Sequence, residues 1–241
     1  KAIMPVHLSG RVCQMDEIIK LCKKKNIKLI EDAAQAIGSK YKKKSSGTFG
    51  EIGCFSAHPL KNLNAIGDSG FFVTNSRKIY NLASDLKNHG MSKRNVINHF
   101  GYVSRMDNLQ AAILDYRLKK LPNLIKARRK NAKLYFKLID KKKVFIPKEK
   151  KEEFNTYHTF VIQVKKRDKL IKYLKKYNIT TSIHYPIPIH LQPAAKKLGY
   201  TKGDFPKAED QAKKILTLPV NQYLTTEQIE YISEKINYFY S

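Results

Sequence analysis

The fold is decided by residues 27–36, which read Ile-Lys-Leu-Ile-Glu-Asp-Ala-Ala-Gln-Ala. The first four residues form a short β-type run, and Glu31 and Asp32 follow at the C-terminal end of the predicted strand. Open α/β sheets place their ligands at that end of a strand. The small alanines after Asp32 leave room for a flat ring against the backbone. This stretch therefore predicts an α/β domain with a binding site beside Asp32.

Helices and strands are predicted to alternate on both sides of this stretch, as far as Pro122. We predict a helix over 15–25, strands over 54–56 and 71–74, a helix from the cap Ser76 to 87, and a helix over 105–120 with Met106, Leu109, Ala112 and Ile113 on one face. Because a proline disrupts a helix, we interpret Pro122 as a hinge and as the domain boundary. Residues 1–122 are then a large α/β domain.

Residues 123–241 are predicted to form a smaller α+β domain. Its predicted elements are a basic helix over 123–139, a strand over 156–164, a helix over 168–177, a strand over 179–185, and a C-terminal helix with a capping box of Thr225 and Gln228. The proline-rich residues 185–193 fit neither a regular helix nor a central strand. We expect them to form a shaped loop.

The composition restricts the classes of protein to consider. The chain has 241 residues, of which 42% are hydrophobic, enough to bury a substantial core. No apolar run approaches the roughly 18 to 20 residues that span a bilayer, and no signal peptide is recognisable, so we expect a cytoplasmic protein. Cys13, Cys22 and Cys54 form no Cys-x-x-Cys pair and have no histidine nearby. Neither a disulfide framework nor a metal site is suggested.

The strongest signal in the composition is the formal net charge of +27. Such a charge raises the possibility of nucleic acid or an anionic membrane as a partner. The lysines are spread along the chain in runs, as at 23–25 and 42–44, and arginine is sparse beside lysine. This distribution is typical of a solvated surface. We therefore expect neither nucleic acid nor a membrane as a partner, although a basic surface would favour a phosphorylated substrate.

A second informative segment is 55–63, which reads Phe-Ser-Ala-His-Pro-Leu-Lys-Asn-Leu. A cofactor with an aldehyde, such as pyridoxal 5'-phosphate, needs a lysine to form an imine, an acid for its pyridine nitrogen and anchors for its phosphate. Lys61, Asp32 and Ser56 are groups of these three kinds. Taken singly, each is as typical of a loop cap or a surface charge, so the order of the residues carries the argument.

In both segments the chain resembles the DegT-type sugar-nucleotide aminotransferases, which depend on pyridoxal phosphate and have the aspartate aminotransferase fold, fold type I. The resemblance extends from residues 5–10 to residues 203–209. It implies an incomplete large α/β/α domain followed by a smaller C-terminal α+β domain. Residues 88–90 and 101–112 resemble the segment that reaches the neighbouring subunit, which implies a homodimer with shared active sites.

The resemblance also implies a role for each residue of the two segments. Asp32 would pair with the pyridinium nitrogen, Ala34 would lie against the ring, and Gln35 would bind the ring oxygen. Ser56 would bind the cofactor phosphate. Lys61 would form the internal Schiff base and move the proton during transamination. These roles place cofactor binding and catalysis between the two segments.

Four further residues are candidates for the substrate side of the site. The resemblance places His58 near the substrate or the phosphate, and it places His184, Tyr185 and His190 in loops that border a sugar-nucleotide pocket. Each of these histidines is also compatible with a structural role. Tyr185 is equally consistent with a rigid loop that packs on the core.

The implied reaction is transfer of an amino group, from L-glutamate, to a keto-sugar attached to a nucleotide, in the biosynthesis of amino sugars for cell-surface polysaccharide. A lysine at position 61, where dehydratase relatives have histidine, favours transamination over dehydration. The motifs leave the 3-keto and 4-keto substrates open. The alternative is a non-catalytic or regulatory protein that retains the fold.

The chain departs from the family pattern in three respects. Val103 stands where the family has an asparagine that donates to the partner subunit's phosphate, and Ser69 replaces a glycine. The family also has a long segment before the strand of Asp32, which supplies a helix N-terminus for the phosphate. We therefore expect this chain to be a fragment of a longer enzyme, with weak binding of pyridoxal phosphate and little activity by itself.

Overall fold

The computed structural model describes residues 1–241, which divide into two units. The first unit consists of residues 1–125 and 150–158, and the second consists of residues 126–149 and 159–241. None of the helices combines the length and the apolar character that crossing a membrane requires. Each unit has its own sheet and its own buried residues.

The first unit is built on a four-stranded sheet. Its elements in chain order are β1 (Ala2–Ile3), α1 (Met15–Lys25), β2 (Lys28–Asp32), β3 (Lys40–Tyr41), β4 (Lys44–Ser45), β5 (Ile52–Ser56), β6 (Gly70–Val73), α2 (Arg77–Leu86), β7 (Met91–Lys93), β8 (Val96–Ile97), α3 (Asn108–Leu138) and β9 (Glu153–Phe154). The sheet has the order β1-β2-β5-β6, in which the first three strands are parallel and β6 is antiparallel to β5. Strand β3 pairs with β4 and β9, and β7 pairs with β8.

Strand β2 has two faces with different surroundings. Leu29 and Glu31 are buried, whereas Ile30 and Asp32 are half-buried, as expected because successive side chains of a strand point to opposite faces. Leu29 packs in an apolar cluster with Met15 of α1. Asp32 therefore faces away from this cluster, at the C-terminal end of the strand.

The prediction that Pro122 separates two helices is wrong. Helix α3 is continuous from Asn108 to Leu138, with Pro122 inside it. A proline inside a helix costs roughly 3 kcal/mol or more. Leu121 and Ile125 flank it and are buried in one apolar cluster. Burial of such a side chain contributes about 1.5 to 3 kcal/mol, so packing on both sides of the proline can offset its cost.

The predicted apolar face of this helix is only partly buried. Leu109 is 64% exposed and Ala112 is exposed, whereas Ile113 is half-buried and Met106 packs against the buried cluster. The buried face contains Leu114, Leu121 and Ile125, and its spacing also places polar residues 110 and 117 on it.

The second unit is built on a two-stranded antiparallel sheet. Its elements are β10 (Phe160–Gln163), α4 (Arg167–Lys176), two 3-10 turns (Ile189–Leu191 and Pro193–Leu198), α5 (Pro206–Lys214), β11 (Ile215–Leu218) and α6 (Thr226–Phe239). The C-terminal half of α3 also belongs to it. The capping box of Thr225 and Gln228 at the start of α6 is confirmed.

The predicted strand over 179–185 is reduced to a single bridge between Ser182 and Thr217. The two residues exchange backbone hydrogen bonds of 3.2 and 2.7 Å. Pairing stops there because the chain enters the segment with Pro186 and Pro188, and a proline has no N–H to donate to a ladder. By contrast, the predicted cap Ser76 is confirmed, since its side chain accepts the N–H of Ile79 at the start of α2.

Candidate active site

Lys61 lies in the loop between β5 and β6, where its N–H donates to the carbonyl of His58 at 2.9 Å. Burial lowers the pKa of the Lys61 amine, and the carboxylate of Asp32 partly opposes this by raising it. Lys61 is thus partly removed from water and lies within the electrostatic field of Asp32. A desolvated lysine is more often neutral, and a neutral amine is the nucleophile that attacks a carbonyl.

Asp32 is held in place by the backbone on both sides. Its N–H donates to the carbonyl of Pro5 and its carbonyl accepts the N–H of His7, both at 3.0 Å. One carboxylate oxygen, Oδ1, accepts the N–H of Ala34 at 3.0 Å. Burial raises the pKa of Cys54, which pairs with Asp32 across the sheet, and the carboxylate raises it further. The acid is therefore fixed at the end of β2, beside β5.

Ser56 is the last residue of β5, and its hydroxyl accepts the N–H of His58 at 3.4 Å. The His58 ring is half-exposed, and its Nδ1 accepts the N–H of Leu60 at 3.2 Å. Its Nε2 lies 3.7 Å from Oδ1 of the exposed Asp68. The hydroxyl and the imidazole are thus held by the same turn that carries Lys61.

The remaining predicted cofactor residues follow Asp32 in the turn after β2. The amide oxygen of Gln35 accepts the N–H of Ser9 at 2.7 Å, which orients its side chain. All six residues predicted to bind the cofactor belong to the first unit, next to the C-terminal ends of two neighbouring parallel strands. They are Asp32, Ala34, Gln35, Ser56, His58 and Lys61. A partly desolvated amine, a carboxylate in its field and a hydroxyl are groups that fit pyridoxal phosphate.

The sequence did not reveal the network that supports β2 from its other face. Nε2 of His7 lies 2.8 Å from Oε2 of Glu31, and both side chains are fully buried. Because the N–H of Cys13 donates to Nδ1 of His7 at 3.2 Å, the ring proton is on Nε2 and points to Glu31. This pair anchors the strand that ends in Asp32.

Glu31 also accepts three backbone N–H groups from the turn at 47–50, which belong to Gly47, Phe49 and Gly50. A Cβ on Gly53 would lie 2.1 Å from the carbonyl oxygen of Gly47, so only glycine fits there. A buried acid that satisfies several donors is a structural device. In the sequence, only the glycines near residue 50 indicated a tight turn that could donate to Glu31.

Asn62, which follows Lys61, is a second residue that sequence reasoning missed. It is buried, and its Nδ2 donates to the carbonyl of Thr156 at 3.3 Å. Its Oδ1 is buried and has no hydrogen-bond partner. The contact with Thr156 fixes the backbone directly beside the amine-bearing residue.

The three residues predicted to border the substrate pocket belong to the second unit. Nδ1 of His184 lies 2.9 Å from the hydroxyl of Thr217 in β11, and Tyr185 is 56% exposed. His190 is buried, and its Nε2 lies 3.1 Å from Oε1 of Glu209. Tyr185 is therefore the most accessible of the three, whereas the His190 ring contacts Glu209.

Comparison with known proteins adds independent information. A model of the DegT/DnrJ/EryC1/StrS aminotransferase family matches residues 1–237. The chain is 40% identical, over its whole length, to a protein of Geobacillus stearothermophilus named pleiotropic regulatory protein, of which it covers 65%. It is 37% identical, over 98% of its length, to dTDP-3-amino-3,6-dideoxy-alpha-D-galactopyranose transaminase of Aneurinibacillus thermoaerophilus, of which it covers 65%.

One solved structure is also similar to this chain, in fold and in sequence. The S. venezuelae protein DesV, in complex with a ketimine intermediate, superposes with a TM-score of 0.95 at 31% identity. The match covers 99% of this chain and 65% of that one. The chain thus spans about two thirds of the length of the proteins that it matches, and this share includes every predicted site residue.

Proposed function

Because the chain belongs to the DegT/DnrJ/EryC1/StrS aminotransferase family, we propose that the protein transfers an amino group to the ketone of a nucleotide-linked sugar, with pyridoxal phosphate as its cofactor. The observation that carries this proposal is that Asp32 ends β2 and Lys61 follows its parallel neighbour β5, near enough for the Asp32 carboxylate to raise the pKa of Lys61. Transamination requires an amine and an acid that act on one cofactor. The donor is an amino acid, for which we propose L-glutamate.

When bound, pyridoxal phosphate supplies an aldehyde and a protonated ring that accepts electrons. We assign Lys61 to hold the aldehyde and to carry the proton to and from the carbon that bears the amino group. Asp32 would keep the ring nitrogen protonated, and the Ser56 hydroxyl would hold the phosphate. Ala34 and Gln35 would contact the ring. The lowered pKa of Lys61 supports this assignment, because it increases the fraction of neutral amine.

A nucleotide-linked substrate is supported by two observations. The transaminase relative is named for a dTDP-linked amino sugar, and the net charge of +27 favours a substrate with phosphate groups. We propose that His184, Tyr185 and His190 border the sugar-nucleotide, with Tyr185 as the exposed contact. We also propose the cytoplasm as the compartment and amino sugars for cell-surface polysaccharide as the products.

We further propose a homodimer with shared active sites. Phe100 is fully exposed, and Tyr102, Val103 and Leu109 are each exposed by more than 60%. Monomeric proteins rarely leave so many large apolar side chains in one segment uncovered. Val103 cannot donate a hydrogen bond to a partner's phosphate through its side chain, so either a neighbouring group supplies that contact or the phosphate is held more weakly. Light scattering with Phe100→Ser tests the dimer, since the substitution should lower the measured mass toward that of the monomer.

The second candidate function is a regulatory protein without catalysis. The name of the relative with 40% identity favours it. This alternative makes no use of the amine of Lys61, whereas transamination depends on it. The two functions can therefore be distinguished by the absorbance spectrum of the cofactor in the unaltered protein and in a variant of Lys61.

The experiment uses the full-length protein loaded with pyridoxal phosphate. Adding L-glutamate should convert the visible absorbance of the cofactor to that of its amino form. Lys61→Ala should abolish the conversion, and the matched control Lys78→Ala, at an exposed position of α2, should leave it unchanged. Conversion at the normal rate in Lys61→Ala would refute the site assignment. Cofactor binding without conversion in the unaltered protein would favour the regulatory function.

A further inference from the structure

The loop that carries Lys61 is closed on itself by backbone hydrogen bonds. The N–H of Ala65 donates to the carbonyl of Ala57 at 2.8 Å, so the two ends of the loop meet. Inside it, the side chain of Asn64 donates to the carbonyl of Pro59 at 2.6 Å. A movement of residues 64–66 would therefore be transmitted to the turn around Lys61.

The base of this loop packs on one face of α3. Ala57, Leu63 and Ala65 form a buried cluster with Leu114 and Leu121 of the helix. Positions 110, 114, 117 and 121 of a helix lie on the same face. Two of these four positions are polar, namely Gln110 and Arg117, although the face is buried against the loop. A polar residue on a packed face needs hydrogen-bond partners.

Both polar residues find their partners in the backbone of the loop. Arg117 donates through one terminal nitrogen to the carbonyls of Asn64 and Ala65, at 2.7 and 3.3 Å. The Gln110 side-chain oxygen accepts the N–H of Ile66 at 2.9 Å. Three successive loop residues are thus hydrogen-bonded to two side chains of α3.

We propose that Gln110 and Arg117 are positioning residues that hold Lys61 in its partly desolvated setting beside Asp32. The catalytic role of this positioning rests on the proposed function. The positioning of Lys61 by the two side chains does not, and it can be tested without the cofactor. Burial lowers the pKa of Lys61 and the Asp32 carboxylate raises it, whereas Gln110 and Arg117 contact the backbone of its loop. They act through the backbone. Weakening their contacts should let the loop move, hydrate the amine and raise the pKa of Lys61.

Two substitutions that keep the net charge test this inference. Gln110→Met removes the acceptor for the Ile66 N–H with little change in size. Arg117→Lys keeps the positive charge but replaces the planar group that reaches two carbonyls with a single ammonium. The matched control is Lys119→Met, in which an exposed lysine of the same helix, paired only with Asp115, is removed.

The readout is the pKa of Lys61 in the cofactor-free, full-length protein. Competitive acetylation across a pH series, with mass spectrometry of the peptide that contains Lys61, gives the midpoint of its labelling curve. In Gln110→Met and Arg117→Lys the midpoint should move up, so that the neutral fraction at about pH 8 falls by about threefold or more.

An unchanged midpoint in both Gln110→Met and Arg117→Lys, with thermal unfolding showing that both variants are folded, would overturn the proposal. A comparable shift in Lys119→Met would also overturn it, because that shift would come from charge and not from loop contacts. Failure of the proposed transamination would leave these midpoints unaffected. The two proposals therefore fail separately.

Discussion

Nε2 of His7 lies 2.8 Å from the carboxylate of Glu31, on the face of β2 opposite to that of Asp32. The same carboxylate accepts N–H groups from the turn at 47–50. Two successive acids of one strand thus have different tasks. Glu31 anchors the strand, and Asp32 faces the candidate active site.

Replacing Glu31 with alanine should destabilise the protein strongly. The substitution leaves the buried His7 ring and three backbone N–H groups, of which that of Gly47 is buried, without an acceptor, which should cost about 3 to 5 kcal/mol. Urea unfolding followed by circular dichroism measures this change in the free energy of unfolding. The control Glu51→Ala removes an exposed ion pair with Lys28 and should cost less than about 1 kcal/mol. Equal costs for the two variants would contradict the anchoring role.

The same carboxylate should make stability depend on acid pH. Burial opposes the charge on Glu31, but hydrogen bonds from His7 and from the N–H groups of Gly50 and Gly47 outweigh it and lower the pKa. A carboxyl group whose pKa is lower in the folded than in the unfolded state stabilises the fold. This stabilisation is fully present above the pKa of the unfolded state. That contribution is lost as the pH falls through the folded value. Urea unfolding at pH 7 and at acid pH should show that the free energy of unfolding falls less in Glu31→Gln than in the unaltered protein.

Removing the charge of Asp32 should change the pKa of Lys61. Because the carboxylate raises the pKa of Lys61 against the effect of burial, Asp32→Asn should lower that pKa further. The expected result is a downward shift of the Lys61 labelling midpoint in the cofactor-free protein. Asp68→Asn, at an exposed position near His58, serves as the control and should leave the midpoint in place. An unchanged midpoint in Asp32→Asn would mean that the two groups do not share one site.

The capping box of α6 offers a local test of the second unit. The Thr225 side chain accepts the N–H of Gln228, and the Gln228 side chain accepts the N–H of Thr225. Thr225→Ala should therefore lower the free energy of unfolding by about 1 kcal/mol. Thr226→Ala, one residue further along, should change it by less than about 0.5 kcal/mol. Chemical unfolding of the two variants, compared in parallel, checks both values.

Local signals in the sequence predicted the elements near the site well. The β-type run before Asp32, the cap at Ser76 and the capping box at Thr225 each depend on residues within a few positions of one another. Contacts of that range can be recognised from spacing alone. The position of Lys61 in a loop after β5 follows from the same kind of signal.

The errors came from contacts between distant residues. Pro122 did not end a helix because Leu121 and Ile125 pack against residues far away in the chain. The predicted apolar face includes the exposed Leu109, whereas the face that packs against the loop after β5 also contains Gln110 and Arg117. Periodicity identifies stripes on a helix but does not say which stripe another segment will cover.

The cofactor site is best tested by identifying the lysine that binds pyridoxal phosphate. The full-length protein is incubated with pyridoxal phosphate, reduced with borohydride, digested and analysed by mass spectrometry. The added group is expected on Lys61, and Asp32→Ala should greatly reduce its yield. A group spread over exposed lysines, with Lys61 unmodified, would contradict the assignment of this site.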